Sequence, residues 1–264
     1  MNYQEYGNRL CPDDALSGRN FVDWPGMLEA VSRRFPIGDK KLYSDMLASD
    51  HIPFNLFVPL KNHAVTTTLL RDWTGLIVDQ VTAIEIEWAP GPKSEFLDDK
   101  TSFDVFITFR VADGSRGAVG IEVKYTEREY DWGTSERERM FDPRSLYLEA
   151  HGRSGLYTDA SLELLRTKRL KQLWCNQLLG ESMLQHPTPQ IDHFTSVLIY
   201  PSGNEHFVQA SSEYEQLLLS NSGRVAVAFY SLTYERFIEQ CRRGAALPGD
   251  QSWLAYLAAR YIIS

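Results

Sequence analysis

The chain has 264 residues, 43% hydrophobic and 23% charged, proportions that suit a soluble globular protein with a sizeable core and exclude disorder along its whole length. Its 27 Lys and Arg against 35 Asp and Glu leave a net charge of −8, which argues against a generic basic nucleic-acid coat but leaves room for a local basic patch. No apolar run is long enough for a membrane span, Met1–Glu5 lacks the regions of a signal peptide, and Cys11, Cys175 and Cys241 are too scattered for a disulfide or zinc pattern, so a cytoplasmic protein with reduced thiols is expected.

The first elements read as helical. A helix is predicted near Trp24–Phe35, with Pro25 in its first turn and Pro36 and Gly38 breaking it. Two or three helical pieces follow between Leu42 and Trp73, interrupted at Pro53 and Pro59. The alternation and β-branched content of Val81–Trp88 predict a first strand within 76–88, stopped by Pro90-Gly91-Pro92. A loop over 93–102 leads to a strand over Phe103–Val111, a glycine-bearing turn, and a strand through Gly120-Ile121-Glu122-Val123-Lys124-Tyr125.

The segment 126–153 is long and charged, and reads either as a solvated insertion or as a flap over a substrate. Beyond it a helix is predicted over Asp159–Leu179, ended by Gly180, then strands over Phe194–Tyr200 and Val225–Tyr230, the second preceded by a Ser220–Gly223 turn. Helices near 211–219, 232–242 and 251–262 complete the chain. Alternating elements with apolar strands predict an α/β fold with one mixed sheet covered by helices on both faces. No linker divides the chain, so a single domain is expected, with a helical part over 1–75, a core over 76–201 and a C-terminal strand and helices over 202–264.

The two central strands carry the chemistry. A side-chain period of two puts Glu122 and Lys124 on one face and Ile121, Val123 and Tyr125 on the other, and the hairpin brings Asp104 beside them. Two carboxylates and a lysine at a sheet are what a divalent cation and an attacking water require. The plainer reading is a cross-strand ion pair on a solvated face. Glu85 and Glu87, one strand earlier, either extend the acidic cluster or form the polar face of an edge strand, and the second reading is the simpler. Asp98 and Asp99 read as loop residues. Trp132, Tyr125 and Tyr130 suit base stacking or core packing alike. The six histidines show no paired ligand spacing, and nucleotide-binding and serine-hydrolase signatures are absent.

Phe103-Asp104, the hairpin and Glu122-Val123-Lys124 resemble the PD-(D/E)XK nuclease superfamily, although Phe103 stands where that motif has proline. Phe54–Leu60 and Gln172–Leu179 also look like segments of a bacterial branch of it. The resemblance implies a restriction-endonuclease-like αβββαβ core with N- and C-terminal helical additions, and a Mg²⁺- or Mn²⁺-dependent nuclease acting on DNA, with RNA left open. It implies Asp104 and Glu122 as metal ligands, the Val123 carbonyl as a third, and Lys124 as the group that orients or deprotonates the water. A glutamine on the following helix would point into the site, and Gln172 is assigned there.

Arg169, Gln172 and Asn176 share a predicted helix stripe, and Lys168, Arg169 and Asn176 are taken as nucleic-acid contacts within or beside the basic run Arg166–Lys171. Glu127 is expected to orient Lys124 or an arginine. The alternatives are a catalytically inactive module of the same fold that binds nucleic acid or protein, and a Mg²⁺-dependent nucleotide phosphohydrolase. A homodimer or a protein partner stays open, and no membrane contact is expected.

Overall fold

The computed structural model describes residues 7–129, 131–219, 223–244 and 248–262. Five strands form one sheet in chain order: β1 (Val78–Trp88), β2 (Phe103–Val111), β3 (Arg116–Val123), β4 (His193–Tyr200) and β5 (Phe229–Thr233). The first three make an antiparallel meander, whereas β4 and β5 add parallel to β3, so the sheet is mixed. Five helices precede it: α1 (Pro12–Leu16), α2 (Met27–Ser32), α3 (Lys40–Ser44), α4 (Ile52–Phe57) and α5 (Ala64–Thr74). Between β3 and β4 lie α6 (Thr134–Phe141), α7 (Leu146–Ser154), α8 (Leu162–Leu165) and α9 (Lys171–Leu184). Helix α10 (Glu205–Leu217) links β4 to β5, and α11 (Tyr234–Gly244) and α12 (Pro248–Tyr261) close the chain. Among the described residues no helix is long and apolar enough to cross a membrane.

Each face of the sheet has its own core. Ile86, Val105, Ile121, Val123 and Ile199 pack on the side of α4, α5, α11 and α12, while Phe106, Phe194 and Leu198 pack under Leu173, Trp174 and Leu178 of α9. Strand β4 is buried along nearly its whole length, Thr195 and Ser196 included, as a central strand covered on both faces should be. Cys175 and Cys241 are buried free thiols, and Cys11 is half-buried.

The hairpin of β2 and β3 lies where its sequence predicts, and other boundaries move for physical reasons. The helix expected from Trp24 begins only at Met27, because Gly26, at φ 77°, serves as its N-cap and leaves Pro25 outside. The long segment after β3 folds into α6 and α7 rather than a loop. The helix expected over 159–179 is broken: a short 3-10 turn and α8 end before Arg166, and α9 starts anew at Lys171.

Gly180 does not end that helix. A Cβ there would lie 2.0 Å from the Phe194 ring, so the glycine lets α9 approach β4 while the helix runs on to Leu184. The strand expected over Val225–Tyr230 forms later, at Phe229, since Val227 instead donates to the Thr74 carbonyl at 3.0 Å. Residues 220–222 of the turn before it lie outside the described residues.

Gly180→Ala should therefore destabilise the protein by about 1–3 kcal/mol through overpacking against Phe194. Gly152→Ala, in α7 with nothing within 4 Å of the added carbon, should stabilise it by roughly 0.5–1 kcal/mol. Urea unfolding of both variants checks the pair, and equal effects would mean that α9 does not sit this close to β4.

Candidate metal-dependent active site

Register builds the site. Ile86 pairs with Val105 and Trp88 with Phe103, while Val105 pairs with Ile121 and Phe106 with Gly120. Glu87, Asp104 and Glu122 thus fall at corresponding positions of three adjacent strands. Gly120 helps set this arrangement: a Cβ there would lie 2.4 Å from the Phe103 ring, so only a glycine admits the ring that precedes Asp104.

Glu122 is the most tightly held group. Its side chain is 5% exposed, as is that of Lys124, whose ammonium lies 2.6 Å from Oε1. Gln172 donates to the same oxygen at 2.5 Å, and Asn176 donates to Oε2 at 2.6 Å. The half-buried Asp104 accepts the Val123 N–H at 2.7 Å. Lys124 lies one residue past β3, where its N–H donates to the Ile199 carbonyl at 2.8 Å and its carbonyl accepts the buried Tyr234 hydroxyl at 2.6 Å. The structure thus brings Asp104, Glu122, Lys124, Gln172 and Asn176 together, with the Val123 backbone among them.

Burial holds the Asp104 carboxyl well above the usual carboxylate range. The Glu122 and Glu87 carboxylates push it the same way, and Lys124 and the Val123 N–H only partly oppose them. Glu87 is pushed from 4.5 to about 7, first by burial and then by Glu122 and Asp50, against Arg34 and Lys41. Its φ of 56° marks a break in the alternation of β1, and it is half-buried whereas Glu85 is exposed. Of the two, Glu87 is the one coupled to the site.

The remaining candidates lie elsewhere. Arg169 precedes α9 and pairs with Glu213 at 2.6 Å, and Lys168 pairs with Asp131, so neither continues the stripe of Gln172. Asn176, expected at a nucleic-acid surface, is buried against Glu122. Glu127 accepts the N–H groups of Ser49 and Tyr125; burial would raise its carboxyl, but these bonds leave it below the usual range. Tyr125 is a core residue against Tyr234 and Tyr261, Trp132 carries the Lys171 ammonium, and Tyr130 lies outside the described residues. Asp98 is exposed, but Asp99 accepts from Thr101 and Tyr147.

A cavity of about 490 Å³ opens over Asp104 and Glu122, and its wall includes Ser102, Glu136, Arg139 and Lys171. Sequence reasoning gave none of these four a role of its own, although Lys171 ends the basic run that it noted. The charged segment after β3 therefore walls the site. A sequence model of the PD-(D/E)XK nuclease superfamily matches residues 1–263. The chain belongs to the PD-(D/E)XK nuclease superfamily. No curated protein and no solved structure gives a significant match.

Nucleases of the PD-(D/E)XK superfamily generally use divalent metals. The donor set here suits a hard cation: two carboxylates side by side, one of them raised by burial and then by its carboxylate neighbours, which Lys124 only partly opposes. Among the described residues no three His, Cys, Asp or Glu side chains form a metal cluster. Backbone oxygen and water would have to complete the shell, as they commonly do for Mg²⁺.

Glu87 sets a pH dependence. With its folded value near 7 and its ordinary value at 4.5, the folded chain retains a proton that the unfolded chain releases, so this group costs stability as pH rises through that window. Relative to the wild type, Glu87→Gln should gain stability between pH 5 and pH 8, read by urea unfolding at both. An equal difference at the two pH values would separate Glu87 from the acidic cluster.

Proposed function

We propose that this protein is a metal-dependent nuclease that hydrolyses phosphodiester bonds of DNA at Asp104, Glu122 and Lys124. The observation that carries the reading is the grip on Glu122, a buried carboxylate held by Lys124, Gln172 and Asn176 next to a second carboxylate. An ion pair on a solvated sheet face would be exposed and weakly stabilising, and this one is neither open to solvent nor alone. Setting a second, half-buried carboxylate beside a buried one opposes folding, so stability does not account for the arrangement.

Asp104 and Glu122 would hold a Mg²⁺ or Mn²⁺ ion through their side chains, and Val123 through its carbonyl. When bound, such an ion supplies charge neutralisation at the phosphate and a more acidic water. Gln172 and Asn176 fix the two oxygens of Glu122, so a ligand meets a preset carboxylate rather than a mobile one. Lys124 orients the attacking water and presents positive charge to the scissile phosphate. Tyr234, through the Lys124 carbonyl, holds that lysine at the strand end.

Lys124→Met should lower cleavage of supercoiled, linear and single-stranded DNA by about 10²–10⁴-fold while Mn²⁺ binding, followed by calorimetry, persists. The Asp104→Ala/Glu122→Ala variant should lose both. A wild type that binds no Mn²⁺ even with DNA present, or a Lys124→Met variant that cleaves at full rate, would sink the assignment. An RNA oligonucleotide in the same assay decides the sugar preference.

A further inference from the structure

Lys171 sits beside this site and is not used by the chemistry above. Its side chain is only 6% exposed, and its ammonium donates to the Asp131 carbonyl at 3.0 Å and lies 4.5 Å from the centre of the Trp132 ring. Among the described residues its ion pair is with Glu136, whose two oxygens lie at 3.2 and 3.4 Å. The next residue, Gln172, touches Glu122, and Lys171 and Glu136 line the cavity that contains Asp104 and Glu122. Resting on the nuclease reading, we propose that Lys171 binds a phosphodiester of the nucleic-acid strand next to the scissile one, and that Glu136 occupies its ammonium until substrate arrives.

The two partners are anchored unequally. Lys171 opens α9, which is buried almost all round and is fixed against the sheet, so the ammonium has a set position. The positive end of the helix dipole adds to its field, and the Trp132 ring restrains it. Glu136 belongs to α6, whose one buried residue is Met140, and its side chain is 37% exposed. A helix with so few buried contacts belongs to the low-stability end of a structure. Exchange of a carboxylate for a phosphodiester keeps the charge on the lysine balanced, so the buried ammonium is never left bare. Lysine is suited to phosphate as a compact charge with three donors.

The test is binding of a fluorescein-labelled single-stranded DNA by anisotropy, in EDTA so that no cleavage intervenes, over a range of salt. Lys171→Met should weaken binding by about tenfold and reduce the slope of log K against log salt by about 0.7. Glu136→Gln, which keeps an acceptor for the Gly133 N–H, should tighten binding by about 2–5-fold. In the double variant the Glu136 change should have no effect. Unchanged affinity in Glu136→Gln overturns the proposal even if Lys171→Met fails to fold, and so does absence of binding by the wild type. A chain that shows this binding pattern but does not cleave with Mg²⁺ or Mn²⁺ would sink the nuclease reading alone. Cleavage with KM unchanged in both variants would sink the phosphate site alone.

Discussion

The rest of the site follows from one constraint: acidic side chains stand at one level on three adjacent strands, with Glu122 all but shielded from water. Asp104 and Glu122 stand on neighbouring strands, Glu87 stands beyond Asp104, and burial, with the neighbouring carboxylates, makes Asp104 and Glu87 harder to ionise. Such a cluster is tolerated only where donors surround it. Lys124 supplies charge, and the amides of Gln172 and Asn176 and the Val123 N–H supply hydrogen bonds. These come from both a strand end and a helix, so the position of α9 over β3 and β4 is a condition of the site rather than a separate matter of packing.

That dependence gives packing residues a role in the site without contact with it. Gly180 allows α9 to lie against the Phe194 ring, and the same helix carries Asn176 about one turn and Gln172 about two turns earlier. A shift of α9 away from β4 would carry both amides away from Glu122. On the opposite face Tyr234 does comparable work: its buried hydroxyl ties the Lys124 carbonyl to the start of α11. The lysine is thereby fixed although the strand has ended at Val123.

The hairpin was legible because its information is local. Alternation over Phe103–Val111 and a turn before the next apolar run settle both strands and place Asp104, Glu122 and Lys124 together. The helix after the charged segment was less legible. Gln172 and Asn176 marked the side that faces the site, but all of α9 except Gln172 and Leu184 is buried, so the sequence pattern did not show where the helix starts, and Arg169 was grouped with residues from which that start separates it. Gly180 reads as a stop signal until Phe194, remote in sequence, shows what it accommodates. Glu85 and Glu87 have the same local pattern, and the pairing of strands, which sets Glu85 against Phe106 and Glu87 at the level of Asp104, distinguishes the one that belongs to the acidic cluster.

The crossover between β3 and β4 unites these themes. A parallel connection must leave the sheet and return, and this one does so through a poorly anchored part, α6, and a deeply anchored part, α9. The anchored helix orients Glu122, where position must be exact to fractions of an ångström for a bound group to be useful. The weakly buried helix forms the outer wall of the same cavity, where the nucleic acid of the proposed reaction would enter and leave. Rigidity and access are thus assigned to different stretches of one connection, so neither has to be compromised for the other.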